Sequence, residues 1–264
     1  YSEDNRYKIG YDNFPKREDE TGFDLNKYIW KKKKNFWNSK IDYVICISNW
    51  LKDSANQSNL FREHKKTFIP CPLDINNWKP VNQTHAREKL KLPKDKIILL
   101  FMSTNGSKDY RKGFKYIKSS LNYLSKFQNN IIILNIGKNN NTNIDNSNII
   151  NVNKSFNGDP EILKMYYSAS DILVTPSILE AFGQVAVEAA SCGIPAIGFR
   201  QTGLEDTIIH KETGYLSEYL DQNDFNIGLN WIIDEIKKDK DFFKTKCQNF
   251  VKNNFSSEII AKRY

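Results

Sequence analysis

One stretch decides the fold: Pro176-Ser177-Ile178-Leu179-Glu180-Ala181-Phe182-Gly183-Gln184-Val185-Ala186-Val187-Glu188-Ala189-Ala190-Ser191-Cys192-Gly193-Ile194-Pro195. The apolar run 171–175 is typical of a buried strand, which Pro176 ends because proline donates no hydrogen bond to a sheet. Small apolar residues over 183–192 predict a helix, which Gly193 and Pro195 close. Residues 196–199 predict another strand. The stretch therefore indicates a βαβ unit, and the N-terminus of its helix offers free N–H groups to a phosphate.

Apolar strands and helices alternate along most of the remaining chain. Strands are predicted at 43–47, 67–70, 97–102, 131–136, 149–152 and 214–216, and helices at 24–37, 48–60, 85–91, 113–127, 159–169, 221–237, 241–253 and from 257 onward. Continuous apolar strands alternating with helices are typical of a parallel sheet with helices on both faces. We therefore predict an α/β protein with a Rossmann-like parallel sheet and a helical C-terminus.

The composition narrows the classes of partner. The chain has 264 residues and a net charge of +8, which favours an anionic partner such as a phosphorylated substrate or a membrane surface. Its densest basic run, Lys31–Lys34, is predicted to be the solvated face of a helix. No zinc-finger spacing or RNA-binding aromatic motif accompanies it, so we expect no nucleic-acid partner.

The cysteines and histidines suggest no metal or nucleophile chemistry. The four cysteines form no Cys-x-x-Cys pair, so we expect reduced thiols in a cytoplasmic protein, without a disulfide framework or metal site. The three histidines, His64, His85 and His210, are interpreted as structural or solvated. A run of about 18 apolar residues, the minimum for a membrane-spanning helix, is absent from the sequence.

Three segments are expected to meet at the carboxyl ends of the strands, where ligands bind in sheets of this kind. The first is the turn and helix quoted above, in which Glu180 and Glu188 flank the predicted anion site. The second is the loop 103–113, which ends in Arg111-Lys112-Gly113. The third is the turn 200–206. A lysine that precedes a helix in such a loop can reach a diphosphate, and a plain surface lysine is the alternative.

Together these motifs resemble the retaining glycosyltransferases of family 4, which have the two-domain GT-B fold. The resemblance covers residues 41–264 and is mainly to the C-terminal, donor-binding half of that fold. The motifs occur in the family's order: Ser48 to Leu51 (Ser-x-Trp-Leu), Ile69-Pro70 with Leu73-Asp74, the Arg-Lys-Gly loop 111–113, the Glu-x7-Glu pair Glu180 and Glu188 with Phe182-Gly183, and Cys-Gly-Ile-Pro at 192–195.

The resemblance implies a role for each carboxylate and each cation. Glu188 would accept hydrogen bonds from the ribose of a nucleotide-diphosphate sugar, unless it is a solvent-facing helix residue. Glu180 would hold hydroxyls of the transferred sugar near its anomeric carbon, unless it is only a charge at a helix start. Lys112 would neutralise the diphosphate, with Arg111 as a further donor-binding residue. Glu180 and Lys112 are the predicted catalytic residues.

The resemblance also implies the mode of catalysis. The backbone N–H groups of Phe182, Gly183 and Gln184 would bind the diphosphate, where negative charge grows as the glycosidic bond breaks. Transfer would occur on the front face through an oxocarbenium-like state, and the leaving phosphate would help to deprotonate the acceptor hydroxyl. We expect no cofactor and no metal requirement. Two departures are Ser103-Thr104, where many relatives have Gly-Arg, and Thr202-Gly203, where Gly-Gly is common.

The implied domain organisation is incomplete. Residues 1–45 would be a remnant or linker of an N-terminal acceptor domain, 46–250 the nucleotide-sugar-binding domain and 251–264 a C-terminal crossover helix. The Pro- and Asn-rich segment 71–84 is the expected domain junction. A missing N-terminal domain would hold the acceptor.

The expected function is transfer of a sugar from a nucleotide-diphosphate sugar to a hydroxyl of a sugar or lipid-linked acceptor, in surface polysaccharide or glycolipid synthesis. The expected location is the cytoplasm, with peripheral contact at the inner face of the membrane. The alternatives are a nucleotide-sugar-binding module that is inactive without its acceptor domain, and an interaction domain that binds no nucleotide.

Overall fold

The computed structural model describes residues 4–12, 14–16, 20–37, 40–105, 108–124, 130–137, 149–152 and 159–264. The Gly106-Ser107 part of the loop 103–113 lies outside this set. Contacts divide the chain into two compact units, Tyr1–Pro70 and Cys71–Tyr264. The division coincides with the start of the predicted junction at 71–84.

The first unit contains a two-stranded parallel sheet. Its elements are α1 (Arg6–Ile9), α2 (Leu25–Trp37), β1 (Tyr43–Cys46), α3 (Asn49–Gln57) and β2 (Lys65–Phe68). The predicted domain boundary at 45/46 differs from the structural one, which lies between Pro70 and Cys71. A boundary at 45/46 would cut β1, which pairs with β2 along its whole length. The described part of the segment predicted to be a remnant or linker, 1–45, contains defined contacts, since buried Arg6 forms ion pairs with Asp4 and Glu20.

The second unit carries most of the alternating pattern. Its helices are α4 (Gln83–Leu90), α5 (Phe114–Leu124), α6 (Pro160–Ala169), α7 (Gln184–Ser191), α8 (Gln222–Lys238), α9 (Lys244–Phe255) and α10 (Ser257–Ala261). Its strands are β3 (Ile97–Met102), β4 (Ile131–Ile136), β5 (Ile149–Val152), β6 (Ile172–Thr175), β7 (Ala196–Phe199) and β8 (Gly214–Ser217). Side-chain caps define several helix starts, as at α6, where Asp159 accepts a hydrogen bond from the Glu161 N–H and Pro160 occupies the first turn.

These strands form a six-stranded parallel sheet in the order β5-β4-β3-β6-β7-β8. Strands β3, β4 and β5 follow one another from the centre of the sheet to one edge. Strand β6 lies next to β3, and β7 and β8 follow it to the opposite edge. The direction therefore switches between β3 and β6. In open α/β sheets, a crevice at such a switch point, beyond the carboxyl ends of the strands, is where ligands bind. The segments that follow β3 and β6 begin at this switch point.

Alternate residues of the strands build two apolar layers. One layer joins Ile98, Leu100 and Leu173 to buried residues of α4, α6 and α7. On the other face, Phe101 packs on Phe114 of α5 and Phe199 packs on Phe225 of α8. Helices thus cover both faces of the sheet, which confirms the predicted α/β, Rossmann-like fold.

Element boundaries differ from the predictions by a few residues. The helix predicted over 113–127 begins at Phe114, and its predicted end lies outside the residues that the structure describes. The boundary predicted at 250/251 lies inside α9, which continues to Phe255. The C-terminal segment that follows is held by Leu73, whose N–H donates to the Phe255 carbonyl at 2.7 Å and whose carbonyl accepts from the Ser257 N–H at 3.2 Å.

Candidate active site

The loop after β3 and the turn after β6 meet at the switch point, where a backbone hydrogen bond joins them. The N–H of Ile178, in the turn after β6, donates to the Arg111 carbonyl at 2.7 Å. Gly113 has a φ of +69°, and a Cβ there would lie 1.9 Å from the Pro176 carbonyl oxygen. Glycine is required here both for its left-handed conformation and for the close approach. The Arg111-Lys112-Gly113 loop is therefore docked on the turn that carries Glu180.

This docking brings the two predicted catalytic residues into contact. Lys112 Nζ lies 2.7 Å from Glu180 Oε2, with the side chains 31% and 14% exposed. Ser177 is fully buried, and its Oγ donates to the same carboxylate oxygen at 3.1 Å. The structure thus places a partly buried, hydrogen-bonded ion pair at the switch point. The pairing was not part of the sequence prediction, which assigned the two residues separate roles.

The start of α7 presents backbone donors beside this pair. Gly183 precedes the helix with a φ of +95° and provides no side-chain cap. Within the part of the chain that the structure describes, the N–H groups of Phe182, Gly183 and Gln184 have no backbone acceptor. Such N–H groups and the helix dipole attract an anion. The predicted diphosphate-binding backbone is therefore unsatisfied and adjacent to Glu180 in the chain.

A tight turn after β7 supports that backbone from behind. The Gly203 N–H donates to the Glu180 carbonyl at 2.8 Å. A Cβ on Gly203 would lie 2.6 Å from the Phe182 backbone nitrogen, so a side chain cannot be accommodated. The Phe182 side chain is buried and packs against Phe255. The Thr202-Gly203 sequence therefore retains the glycine that the close approach requires, and Phe182 anchors the turn to the core.

Glu188 lies four residues into α7 and is held by a buried tyrosine. Tyr167 of α6 is fully buried, and its hydroxyl donates to Glu188 Oε2 at 2.8 Å. Burial raises the pKa of Glu188 above its ordinary value, and the hydrogen bonds from Tyr167 and Gln184 partly offset this effect. A partly buried carboxylate with a fixed orientation is suited to accepting hydrogen bonds from vicinal hydroxyls. The solvent-facing alternative for Glu188 does not fit this environment.

Arg111 is placed differently from Lys112. Its guanidinium forms a two-pronged ion pair with Asp109, with Nη2 2.9 Å from Oδ2 and Nε 3.0 Å from Oδ1. The hydrogen bond from Arg111 lowers the pKa of Asp109, and the Arg111 side chain is 54% exposed. The structure therefore brings the Arg111 backbone to the site, while its charged group is engaged locally by Asp109.

Two further strands, β3 and β5, precede segments that are only partly described. Ser103 follows β3 at the position where the family resemblance implied Gly-Arg; its hydroxyl is buried and unpartnered among the described residues. Continuing the β3–β6 register places Ser103 opposite Pro176. Asn151 and Val152 end β5, and residues 153–158 lie outside the described residues.

Sequence reasoning did not identify Ser177 and Tyr167 as contacts of the paired glutamates. For the first, the only local indication was that Ser177 and Glu180 lie three residues apart in the same turn. The Tyr167–Glu188 contact depends on how α6 and α7 pack in the layer that they share. No local pattern encodes that contact.

The other candidate groups do not join the site. His210 is structural, since its Nδ1 accepts a hydrogen bond from the Leu216 N–H at 3.2 Å. All four cysteines lie in the described part of the chain and are unpaired there; Cys71 is half-buried and the others are buried. Within the described ranges, no cluster of three or more His, Cys, Asp or Glu side chains could hold a metal ion. Among the helices of those ranges, none has the length and apolarity of a membrane span.

Comparison with known proteins identifies related sequences. The sequence profile of the family described as "Glycosyl transferases group 1" matches residues 82–248. The capsular polysaccharide biosynthesis glycosyltransferase CapM of Staphylococcus aureus is 27% identical over 232 residues, which are 82% of this chain and 58% of that protein. The chain thus spans little more than half the length of that curated relative.

Solved structures show the same architecture. Sucrose-phosphate synthase from Thermosynechococcus elongatus superposes with a TM-score of 0.71 and 25% identity, over 94% of this chain and 62% of that one. The Anabaena protein HepE, solved in complex with UDP-glucose, superposes with a TM-score of 0.70 and 16% identity, over 91% of this chain and 66% of that one. The second unit, Cys71–Tyr264, contains the whole region that the family profile covers, and its switch point holds the Glu-x7-Glu pair. The chain belongs to the group 1 glycosyl transferase family.

Proposed function

We propose that this chain provides the donor site of a retaining glycosyltransferase, which moves a sugar from a nucleotide-diphosphate sugar to a hydroxyl acceptor. The observation that carries the proposal is the Lys112–Glu180 pair beside the unsatisfied N–H groups of residues 182–184. This arrangement combines an anion site with a carboxylate that can bind sugar hydroxyls. HepE, which shares the fold, was solved with UDP-glucose.

The proposed chemistry follows from the charges in the crevice. The diphosphate binds the N–H groups at the start of α7 and Lys112, whose ammonium has three donors and can serve Glu180 and a phosphate together. As the glycosidic bond breaks, negative charge grows on the leaving phosphate, where these donors are already oriented. Glu180 holds hydroxyls of the sugar, and Glu188 holds the ribose. The leaving phosphate accepts the proton of the attacking hydroxyl on the same face.

In this mechanism the protein itself supplies the positive charge that stabilises the departing diphosphate. We propose that no metal or cofactor is required, because Lys112 and the helix N-terminus stabilise the departing diphosphate. Full activity in excess chelator supports this; loss of activity that Mg²⁺ or Mn²⁺ restores would contradict it.

The first unit supports a further part of the proposal, an acceptor-binding domain larger than the residues present here. Parallel sheets are normally buried on both faces, yet Tyr43 and Ile45 of β1 are 52% and 45% exposed. An apolar cavity of about 560 Å³, lined by Trp30, Trp37 and Phe61 among others, lies in the same unit. We propose that additional polypeptide of the acceptor domain covers these surfaces in the working enzyme.

The proposed setting is the cytoplasmic face of a membrane, in the synthesis of a surface polysaccharide or glycolipid. CapM, named for capsular polysaccharide biosynthesis, supports the polysaccharide role. The exposed lysines of α2, among them Lys32 and Lys33, and exposed Phe36 provide a surface for peripheral contact with anionic lipids. The acceptor is then a sugar or lipid-linked sugar that presents a hydroxyl to the crevice.

The test measures donor turnover. Thermal shifts with UDP, GDP, ADP and CMP and their sugars identify the donor, and release of free sugar or transfer to an acceptor is then followed by NMR. The product is expected to keep the anomeric configuration of the donor. Lys112→Ala and Glu180→Ala should reduce turnover at least 100-fold, on the order of one preorganised electrostatic contact. Lys118→Ala and Glu212→Gln, which alter exposed charges elsewhere, should retain it.

Two outcomes would redirect the proposal. Inversion of the anomeric configuration contradicts the retaining mechanism. Binding of a nucleotide sugar without turnover favours the alternative, a donor-binding module that is inactive without its acceptor domain. The match covers 58% of CapM, so we name this donor-binding module as the alternative.

A further inference from the structure

Two hydroxyls lie beneath Glu180, and the mechanism above does not use either of them. Ser177 Oγ donates to Glu180 Oε2 at 3.1 Å, and Thr175 Oγ1 lies 3.5 Å from Ser177 Oγ. Ser177 is fully buried and Thr175 is 5% exposed. A buried hydroxyl that donates to a carboxylate has a stronger effect than an exposed one, because water does not compete.

The direction of these hydrogen bonds follows from proton counting. A serine hydroxyl has one proton, and Glu180, when ionised, can only accept. The Ser177 hydroxyl therefore uses its one proton in the hydrogen bond to Glu180. Its oxygen lone pairs remain able to accept a hydrogen bond from Thr175. The order Thr175 to Ser177 to Glu180 runs from the end of β6 to the carboxylate. Ser177 is thus a buried donor to Oε2.

The other partner of Oε2 has a competing task in the proposed mechanism. Lys112 lies 2.7 Å from this oxygen and is the cation proposed to neutralise the diphosphate. A bound phosphate draws the Lys112 ammonium toward itself and weakens its hold on Glu180. Ser177 has no such alternative, because it is buried on the strand side of the turn.

We propose that Ser177 is a positioning residue that keeps the Glu180 carboxylate oriented toward the sugar while Lys112 engages the diphosphate. The proposal rests on the function proposed above and assigns the sugar-specific part of donor binding to the Ser177–Glu180 hydrogen bond. Loss of the Ser177 hydroxyl should weaken recognition of the sugar and leave recognition of the nucleoside diphosphate unchanged.

The experiment compares UDP and UDP-glucose by isothermal titration for the intact chain, with the corresponding GDP or ADP pair if the nucleotide panel selects that base. Ser177→Ala should leave the affinity for UDP within about 2-fold and weaken UDP-glucose by about 10-fold, as expected for one hydrogen bond to a charged group. Ser191→Ala is the matched control, since it removes a hydroxyl that donates to the Trp78 carbonyl at 2.6 Å away from Glu180. It should change neither affinity.

A double-mutant cycle separates positioning from a general structural effect. In a Glu180→Ala background, Ser177→Ala should have no further effect on UDP-glucose affinity, because its hydrogen-bond acceptor is gone. Equal weakening of UDP and UDP-glucose, additive effects in the cycle, or unchanged UDP-glucose affinity would each overturn the positioning role. If the wild-type chain binds no nucleotide sugar at all, the proposed function fails and this inference fails with it.

Discussion

At the scale of single residues, the function proposed for Glu188 opposes its contribution to stability. Burial raises the pKa of its carboxyl, so the folded protein retains a proton that the unfolded chain releases more readily. The contribution of Glu188 to stability is therefore most favourable below the ordinary glutamate pKa of 4.5, and it is lost as the pH rises through the raised value. At neutral pH, the folded state carries a desolvated charge, which binding of a ribose would compensate.

We expect Glu188→Gln to increase the free energy of unfolding at pH 7 while weakening nucleotide binding about 10-fold, the effect of losing a charged hydrogen-bond acceptor. The glutamine oxygen can still accept from Tyr167, so the fold is kept. Urea unfolding at pH 7 and pH 4.5 measures the effect, and the gain in stability should shrink at the lower pH. A variant that is less stable than wild type at pH 7 would contradict this account.

At the scale of elements, the docking of the Lys112 loop depends on Gly113. Alanine at this position would adopt a strained φ and would also place its Cβ against the Pro176 carbonyl. We expect Gly113→Ala to lower the free energy of unfolding by about 3 kcal/mol, from the sum of left-handed strain and backbone displacement. Denaturant unfolding followed by circular dichroism measures this.

Gly193→Ala is the matched control for that measurement. Gly193 also has a positive φ, of +81°, but its Cβ would meet the flexible Lys244 side chain at 3.0 Å and the Lys244 Cα at 3.4 Å, an ordinary contact distance. We expect it to lower the free energy of unfolding by about 1 kcal/mol, the left-handed strain alone. Equal effects of the two substitutions would show that the contact with Pro176 does not hold the loop.

A buried ion pair joins the central strands to α4. Asp171 Oδ2 accepts from Arg87 Nη2 and from the Ile98 N–H, both at 2.7 Å, and Oδ1 accepts from Gln83 Nε2 at 3.0 Å. Asp171→Asn would leave Arg87 with an uncompensated charge in a site where it is 6% exposed. We expect a loss of about 3–5 kcal/mol in the free energy of unfolding.

The exposed Lys94–Glu88 pair provides the comparison for Asp171. Glu88→Gln breaks an ion pair of similar length, 2.6 Å, but both side chains are more than half exposed. Surface pairs contribute little, so its unfolding curve should overlay that of the wild type. If Asp171→Asn were as mild, the buried pair would not anchor β3 and β6 to α4.

The sequence predicted elements better than contacts, for physical reasons that these elements illustrate. The strand Ile131–Ile136 was predicted with its observed bounds, and the helix Pro160–Ala169 was predicted to within one residue at its start. Continuous burial and a proline after an Asp cap are local signals. Glu180 and Lys112 were identified separately from their motifs. Their pairing depends on the close approach of Gly113 to Pro176, between segments about 65 residues apart in sequence. A contact of this kind is set by tertiary packing, which local patterns do not encode. The fold of residues around Arg6 depends likewise on Glu20, across a segment without apolar periodicity.

At the scale of the whole molecule, the net charge of +8 favours contact with an anionic surface. We expect the chain to co-sediment with vesicles of phosphatidylglycerol and phosphatidylcholine more strongly than with phosphatidylcholine alone, and less strongly in high salt. Lys32→Gln with Lys33→Gln should weaken the association about 30-fold, at about 1 kcal/mol per lysine near the surface.

A second pair of lysines controls for net charge alone. Lys89→Gln with Lys118→Gln removes the same charge from exposed positions on α4 and α5. It should have a smaller effect on vesicle binding. Equal weakening by both pairs would mean that total charge, and no particular surface of α2, governs the association.

The central claim is that the switch point between β3 and β6 binds a nucleotide-diphosphate sugar, and isothermal titration of the intact chain tests it most directly. One nucleoside diphosphate among UDP, GDP and ADP should bind with 1:1 stoichiometry, and its sugar conjugate should bind at the same site in competition. Lys112→Ala should weaken both by about 10-fold or more, as expected for a charge-assisted contact to phosphate, while Lys118→Ala should bind as the wild type does. Absence of binding by the wild-type chain, or equal binding by Lys112→Ala, would contradict the account.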